Sequence, residues 1–324
     1  MKGGLKMDMI IKFLVAAVGA GTPLLFGTVG EILTEKTGHL NLGVEGMMSI
    51  GACAGFMAGY YTDNFVLALL VAALAGALSA LIYAVLTVTF MANQNVTGLT
   101  LTIFGIGLAN FIGIFVLNKT PEGTLKLPEK ITAAMRGIHI PGLSDLPIVG
   151  ELLFSYSPFV YIGIVIALVC GYYLNRTKTG LNVKAVGENP GAADAAGIKV
   201  TGVKYANIVL GGAICGIGGV YCSMIINGGV WISDNVGGLG WIAVALVIFA
   251  NWQPAYAILG SFVFGALRVL KYYIPQSVLP FPVAFYDMLP FLMTALVLVI
   301  SSMRKSGRIN LPAALGLNYF REER

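Results

Sequence analysis

Residues 176–204 read RTKTGLNVKAVGENPGAADAAGIKVTGVK, a polar, basic run set between two long apolar stretches. It carries Arg176, Lys178, Lys184, Lys199 and Lys204 against Glu188 and Asp194. A short helix is written inside it. Asn189 suits an N-cap, and Pro190 suits the first helical position, where a missing N–H costs nothing. Residues 191–196 are Ala-rich, and Gly197 can close the helix in a left-handed cap. The spacing predicts a small-faced helix, within a loop joining two spans, that another protein can approach closely. An ordinary charged loop that fixes topology is the other reading, and these residues alone leave both open.

Outward from that run the chain is apolar. Of its 324 residues 57% are hydrophobic and only 11% charged, and the mean hydropathy is +0.84. Soluble domains carry about 25% charged residues, so we read an all-α polytopic membrane protein. The length allows roughly eight to ten transmembrane helices of about 20 residues. Apolar runs fall at 9–33, 44–61, 65–91, 97–118, 157–175, 204–227, 238–252, 254–273 and 284–303. The run 238–252 is short enough to be reentrant. Residues 31–46, EILTEKTGHLNLGVEG, are too polar to face lipid and too Gly-rich for a steady helix; irregular backbone at that depth belongs against protein or a wet cavity. The opening MKGGLKMDM and the run after it read as a first retained span. Cys53, Cys170, Cys215 and Cys222 all fall in apolar runs with no CxxC or His pairing, so they read as packing residues, with no metal site.

The net charge of +5 reflects loop topology, and no nucleic-acid partner is expected. The basic 176–204 loop and the basic tail (Arg304, Lys305, Arg308, Arg321, Arg324) read as cytoplasmic. The loop 119–156, with Pro121, Pro128, Pro141 and Pro147 and balanced charge, reads as external and partly ordered, as does 228–237. Nine full spans then place the N-terminus outside, against Lys2 and Lys6; either those lysines are overridden or one interrupted segment does not cross. Residues 41–118 and 227–303 share an order of spans, with Gly76-Ala77-Leu78 matching Gly265-Ala266-Leu267. Such a repeat in opposite orientations marks transporters, with the pathway at the repeat interface near the midplane. No linker is visible, and residues 1–324 read as a single transmembrane domain.

Several polar residues stand out. Glu45 opens an apolar span shortly after Asn41; it either answers a helix dipole or lines a pathway. Asn93, Gln94 and Asn95 form a polar cluster between two spans, a tight turn or a substrate contact. Phe104 and Asn110 lie in the fourth span, where Asn110 needs a polar partner. Trp231, Trp241 and Trp252 suit an interfacial belt. Asp287 and Arg268 are placed to pair or snorkel, and His39 has no evident role. Gly51, Gly55 and Gly59 form GxxxGxxxG, a packing stripe. No GxxxxGK[ST], GxSxG or HExxH occurs, so this is no enzyme of those kinds and binds no ATP through a phosphate loop.

The pattern Thr177, Gly180, Ala185, Gly187, Asn189, Pro190, Ala192, Ala193, Gly197, Ile198 resembles the coupling loop of ABC-importer permeases of the ribose, nucleoside and branched-chain amino acid superfamily. Residues 38–46, GHLNLGVEG, and 92–99, ANQNVTGL, are similar to elements of its nucleoside branch, nearest the shorter permease of guanosine-type uptake systems. The resemblance covers about 22–303 and is weakest over 119–156. It implies a type II-like permease in a bacterial cytoplasmic (inner) membrane, importing nucleosides. It implies a coupling helix built on Gly187, Glu188, Asn189, Pro190, Ala192, Ala193 and Gly197, and a pathway drawing on Asn41, Glu45, Asn93, Gln94, Phe104 and Asn110. Its partners would be a separate ABC ATPase holding ATP and Mg, a second homologous permease, a substrate-binding lipoprotein and membrane lipid, with no cofactor in this chain. A simple-sugar or branched-chain amino acid permease is the alternative within the class. An ion-coupled secondary transporter is the alternative outside it, disfavoured by the few carboxylates in the spans.

Overall fold

Each of the nine apolar runs becomes a helix in the computed structural model, which describes residues 2–121, 123–135, 137, 146, 149–274, 282–303 and 310–321. The helices are α1 (Lys2–Glu35), α2 (Val44–Thr62), α3 (Phe65–Ala84), α4 (Gln94–Leu117), α5 (Glu129–Ala134), α6 (Val149–Phe154), α7 (Pro158–Arg176), α8 (Lys178–Glu188), α9 (Pro190–Ala195), α10 (Val200–Tyr221), α11 (Leu239–Phe249), α12 (Pro254–Tyr273) and α13 (Val283–Met303). Helices α3 and α10 continue into π turns, Val85–Thr89 and Cys222–Ile226. Among the described residues there is no strand, only an antiparallel bridge between Lys126 and Val230.

Six helices are long and apolar enough to cross a membrane: α1, α3, α4, α7, α10 and α12. Helix α2 is long enough too, with 19 residues, but carries Ser, Gly and Tyr and is largely buried among the others. Helix α11, with 11 residues, and the described apolar part of α13 fall short. The starts have local causes. The Asn64 side chain accepts from Val66 N and Leu67 N to begin α3, and Asn93 accepts from Val96 N to begin α4.

Lipid tails are as apolar as leucine, so helices here associate through close packing. The most extensive pairings are α1 with α12 and α10 with α3. Gly216 of α10 shows why small residues are needed there: a Cβ on it would lie 2.2 Å from Ala72 O of α3, while one on Gly51 of α2 would lie 2.3 Å from Gly216 Cα. Across the molecule Gly265 of α12 does the same against α1, where a Cβ would lie 2.2 Å from Ala17 O.

The two glycines of the matched Gly-Ala-Leu triplets make like contacts. Gly76 of α3 packs on α10 as Gly265 of α12 packs on α1. Residues 41–118 and 227–303 run in opposite senses. Helix α1 ends beside α8, since a Cβ on Gly187 would lie 2.3 Å from Lys36 O. Its other end lies by the end of α12, where Tyr273 Oη donates to Lys12 O. The beginning of α1 is therefore at the end of the bundle remote from α9. That placement is the one nine crossings require when the α9 end is cytoplasmic.

At the far end from α9, residues 124–135 fold back over the bundle. Trp231 N donates to Leu125 O and Leu127 N to Gly229 O, and Leu125, Leu127, Ile131 and Met135 are buried. Pro141 and Pro147 of that loop, and Arg304, Lys305, Arg308 and Arg324 of the tail, lie outside the described residues. Three expectations need correction. Trp231 and Trp252 are 5% and 4% exposed, so they belong to the core; only Trp241 has a surface position. Asp287 pairs with Lys271 at 2.6 Å, one turn from the expected Arg268, which reaches Ala20 O instead. The 176–204 run is mostly helical, because Thr177 caps a further helix, α8, by accepting from Gly180 N.

Candidate functional site

The first candidate surface is built on α9. Asn189 Oδ1 accepts from Ala192 N at 2.9 Å, the expected N-cap, with Pro190 behind it. Gly197 sits at φ +84° and closes the helix. Gly197 N donates to Asp194 O and Ile198 N to Ala193 O, the paired bonds of a Schellman cap. The helix is seated by a small cluster of Val186, Ala193 and Val200 with Tyr319 packed against it. Of the expected coupling residues Gly187 and Ala193 are buried beneath the helix, whereas Ala192 is exposed, together with Ala195 and Ala196. Glu188 is exposed and accepts from Ala313 N. Beside α9 a cleft of about 370 Å³ opens between Gly197, Lys199, Thr201, Arg321, Val88 and Met91.

The second candidate site lies deep in the bundle. Gly46 of α2 meets Leu101 and Thr102 of α4, and Gly105 meets Gly46. Gly105 is about 16 Å along α4 from its start, so α2 begins near mid-depth and runs to the far end. Residues 36–43 climb to that point from the α9 end. Helix α11 begins at the same depth, since a Cβ on Gly240 would lie 2.4 Å from Glu45 Cα. It runs the other way, and residues 227–238 descend to it from the far end. Two helix N-termini thus meet in the middle. Glu45 joins them: Oε1 accepts from Gly238 N at 2.8 Å and Oε2 from Gly240 N at 2.6 Å, with the residue 4% exposed. A carboxylate there satisfies orphan amides and the positive end of the α11 dipole.

The climbing segment 36–43 is held by polar side chains. Asn41 N and Nδ2 donate to the two oxygens of Glu31, and Asn41 Oδ1 accepts from Gly43 N. Gln94 Oε1 accepts from Leu40 N at 2.8 Å, Tyr83 Oη donates to Leu40 O, and Thr102 Oγ1 donates to Leu42 O. Trp252 Nε1 donates to Glu35. Lys36 Nζ reaches Asn310 O, and burial, with Lys184 nearby, brings its ammonium down to about 8. His39 is buried, and its Nδ1 has no hydrogen-bond partner.

Of the six residues expected to share a pathway, the structure gathers Asn41, Gln94 and Glu45 along one rising line. It does not bring the other three to it. Asn93 is an exposed helix cap, and Phe104 is half exposed on the outer face of α4, beside a 200 Å³ cleft with Tyr83, Thr97 and Thr100. Asn110 lies at the far end, exchanging hydrogen bonds with Asp234 at 2.8 and 3.0 Å. Glu31, Glu35, Tyr83 and Trp252 were not foreseen as members. The i, i+4 spacing of Glu31 and Glu35 at the end of an apolar run was the available signal. Among the described residues, no three His, Cys, Asp or Glu side chains gather as metal ligands would.

Comparison with known proteins adds the lineage. The family model described as branched-chain amino acid transport system / permease component matches residues 13–298. The chain is 33% identical over 313 residues to the nucleoside ABC transporter permease protein NupC of Lactococcus lactis, covering 93% of this chain and 94% of that one. It is 32% identical to the guanosine ABC transporter permease protein NupQ of Bacillus subtilis over the same shares. It is 35% identical to the putative glucose ABC transporter permease protein TsgC13 of Haloferax volcanii, over 82% of this chain and 78% of that one.

Proposed function

The chain belongs to the branched-chain amino acid transport system / permease component family, and from that premise we propose that it is the membrane-spanning subunit of an ATP-driven nucleoside importer. The observation that carries the reading is α9: a doubly capped helix with an exposed face of Ala192, Ala195 and Ala196, at the basic end of a bundle that has no phosphate loop of its own. Such a helix suits a groove on a separate ABC ATPase that holds ATP and Mg. The basic end then faces the cytoplasm, and the membrane is the bacterial cytoplasmic membrane. Nucleosides are favoured by NupC and NupQ, which match nearly the whole chain. TsgC13 supports a second reading, a simple sugar.

In this reading a lipoprotein delivers the nucleoside to the far end. ATP binding draws the ATPase subunits together and moves α9. This permease and a second, homologous one rock between two openings. The meeting of α2 and α11 at mid-depth supplies a place where irregular backbone lines the route, as in other transporters. The route binds weakly in at least one state, or the cargo would not leave.

The test is purification of the tagged chain from native membrane, with partners identified by mass. An ATPase, a second permease and a lipoprotein are expected, with the lipoprotein binding guanosine in preference to glucose. Preference for glucose would replace nucleoside by sugar. Recovery of the chain alone, with uptake abolished by a protonophore at normal ATP, would overturn the importer reading.

A further inference from the structure

Residues 310–321 are more than a basic tail. They lie across the α9 end of the bundle and touch five separate parts of it. On the side of the short helix, Ala314 N donates to Gly187 O and Ala313 N to Glu188 Oε2. Tyr319 Oη donates to Asp194 Oδ2 at 2.8 Å, and Arg321 Nε lies 3.2 Å from the same oxygen. On the side of the bundle, Gly316 N donates to Gly38 O, and Asn310 N donates to Asn251 Oδ1 in the turn between α11 and α12. Asn318 is the hinge between the two sides. Its Nδ2 donates to Met91 O at 2.6 Å and its Oδ1 accepts from Gln94 Nε2 at 3.2 Å. Gln94 in turn accepts from Leu40 N, at the foot of the segment that climbs to Glu45.

We propose that residues 310–321 form a strap that passes movement of α9 to the mid-depth segment, with Asn318 and Tyr319 as its positioning residues. The geometry carries this. Helix α9 has six residues and one buried side chain, Ala193. Beyond its chain links to α8 and α10 it has little packing of its own. The strap adds a second attachment at Asp194, on the turn nearest the cap, and runs from there through neighbouring residues to Gln94. Arg321 is largely exposed, so its ion pair adds little by itself; Tyr319, packed in the α9 seat, and Asn318, bonded at both ends of its amide, hold the strap. This inference rests on the importer reading above.

The experiment uses the full complex reconstituted in liposomes, comparing wild type with Asn318→Ala and Tyr319→Phe. Three quantities are read: the amount of ATPase that copurifies, the rate of ATP hydrolysis, and nucleoside taken up per ATP. Both variants should assemble and hydrolyse ATP at wild-type levels while uptake per ATP falls at least about fivefold, the lower range of an allosteric coupling. A strap that only stabilises the fold would lower all three together, and that result overturns the proposal. So would unchanged uptake per ATP in both variants. If no ATPase accompanies the wild-type chain, the importer reading itself fails, and the strap fails with it.

Discussion

Glu45→Gln tests the centre of the molecule. Glu45 accepts from Gly238 N at 2.8 Å and from Gly240 N at 2.6 Å, inside the bundle. Hydrogen bonds to a charged partner contribute about 1.5–3 kcal/mol each, so Glu45→Ala should cost about 3–6 kcal/mol. The glutamine variant keeps one acceptor oxygen but turns an NH₂ toward the second amide. One bond is lost and two donors face each other, for about 2–4 kcal/mol. A fold of 324 residues shifts its melting point by about 1.5 °C per kcal/mol, so the glutamine variant should melt about 3–6 °C lower. Thermal unfolding in mild detergent measures this. A shift of less than about 2 °C would refute the claim that the carboxylate anchors α11. Uptake is then measured well below both melting points. Normal uptake leaves Glu45 as an anchor alone, whereas loss of uptake in a folded variant places it in the route.

On α9, Ala192→Arg should leave the melting point unchanged while ATPase copurification drops. Ala193→Arg should instead destabilise the chain, since that residue is 4% exposed; equal behaviour of the two would contradict the assigned faces. Gly216→Ala should cost about 1–3 kcal/mol through overpacking, read as a lower melting point. Gly107→Ala, whose Cβ would meet nothing within 4 Å, should be neutral or gain up to about 1 kcal/mol.

Local signals were legible in the sequence, and distant pairings were not. Asn189, Pro190 and Gly197 announce their helix because caps act within a few residues, and each sits where its chemistry requires. The nine apolar runs give nine helices because hydropathy acts through the residues themselves. Glu45 was read as a helix-start carboxylate or a pathway group; it lies in the first turn of α2 as read, and it also answers the dipole of α11, nearly two hundred residues on. No sequence window contains that partner. The same holds for Trp252, assigned to a membrane interface until Glu35 claimed its indole. Gly187 and Ala193 fit the docking motif, yet they face inward because a distant tail completes their seat. The docking role of α9 itself rests on its exposed face and on family resemblance.

The strap has a consequence for biogenesis. Residues 310–321 leave the ribosome after α13, at about 5–20 residues per second. Until then Gln94 lacks Asn318, and Asp194 lacks Tyr319 and Arg321. A nascent chain can insert α1 to α13 and still hold α9 without its second attachment. A chain interrupted before residue 319 would then keep α9 only on its seat of Val186 and Val200, with its helices in place and the link to Gln94 unmade.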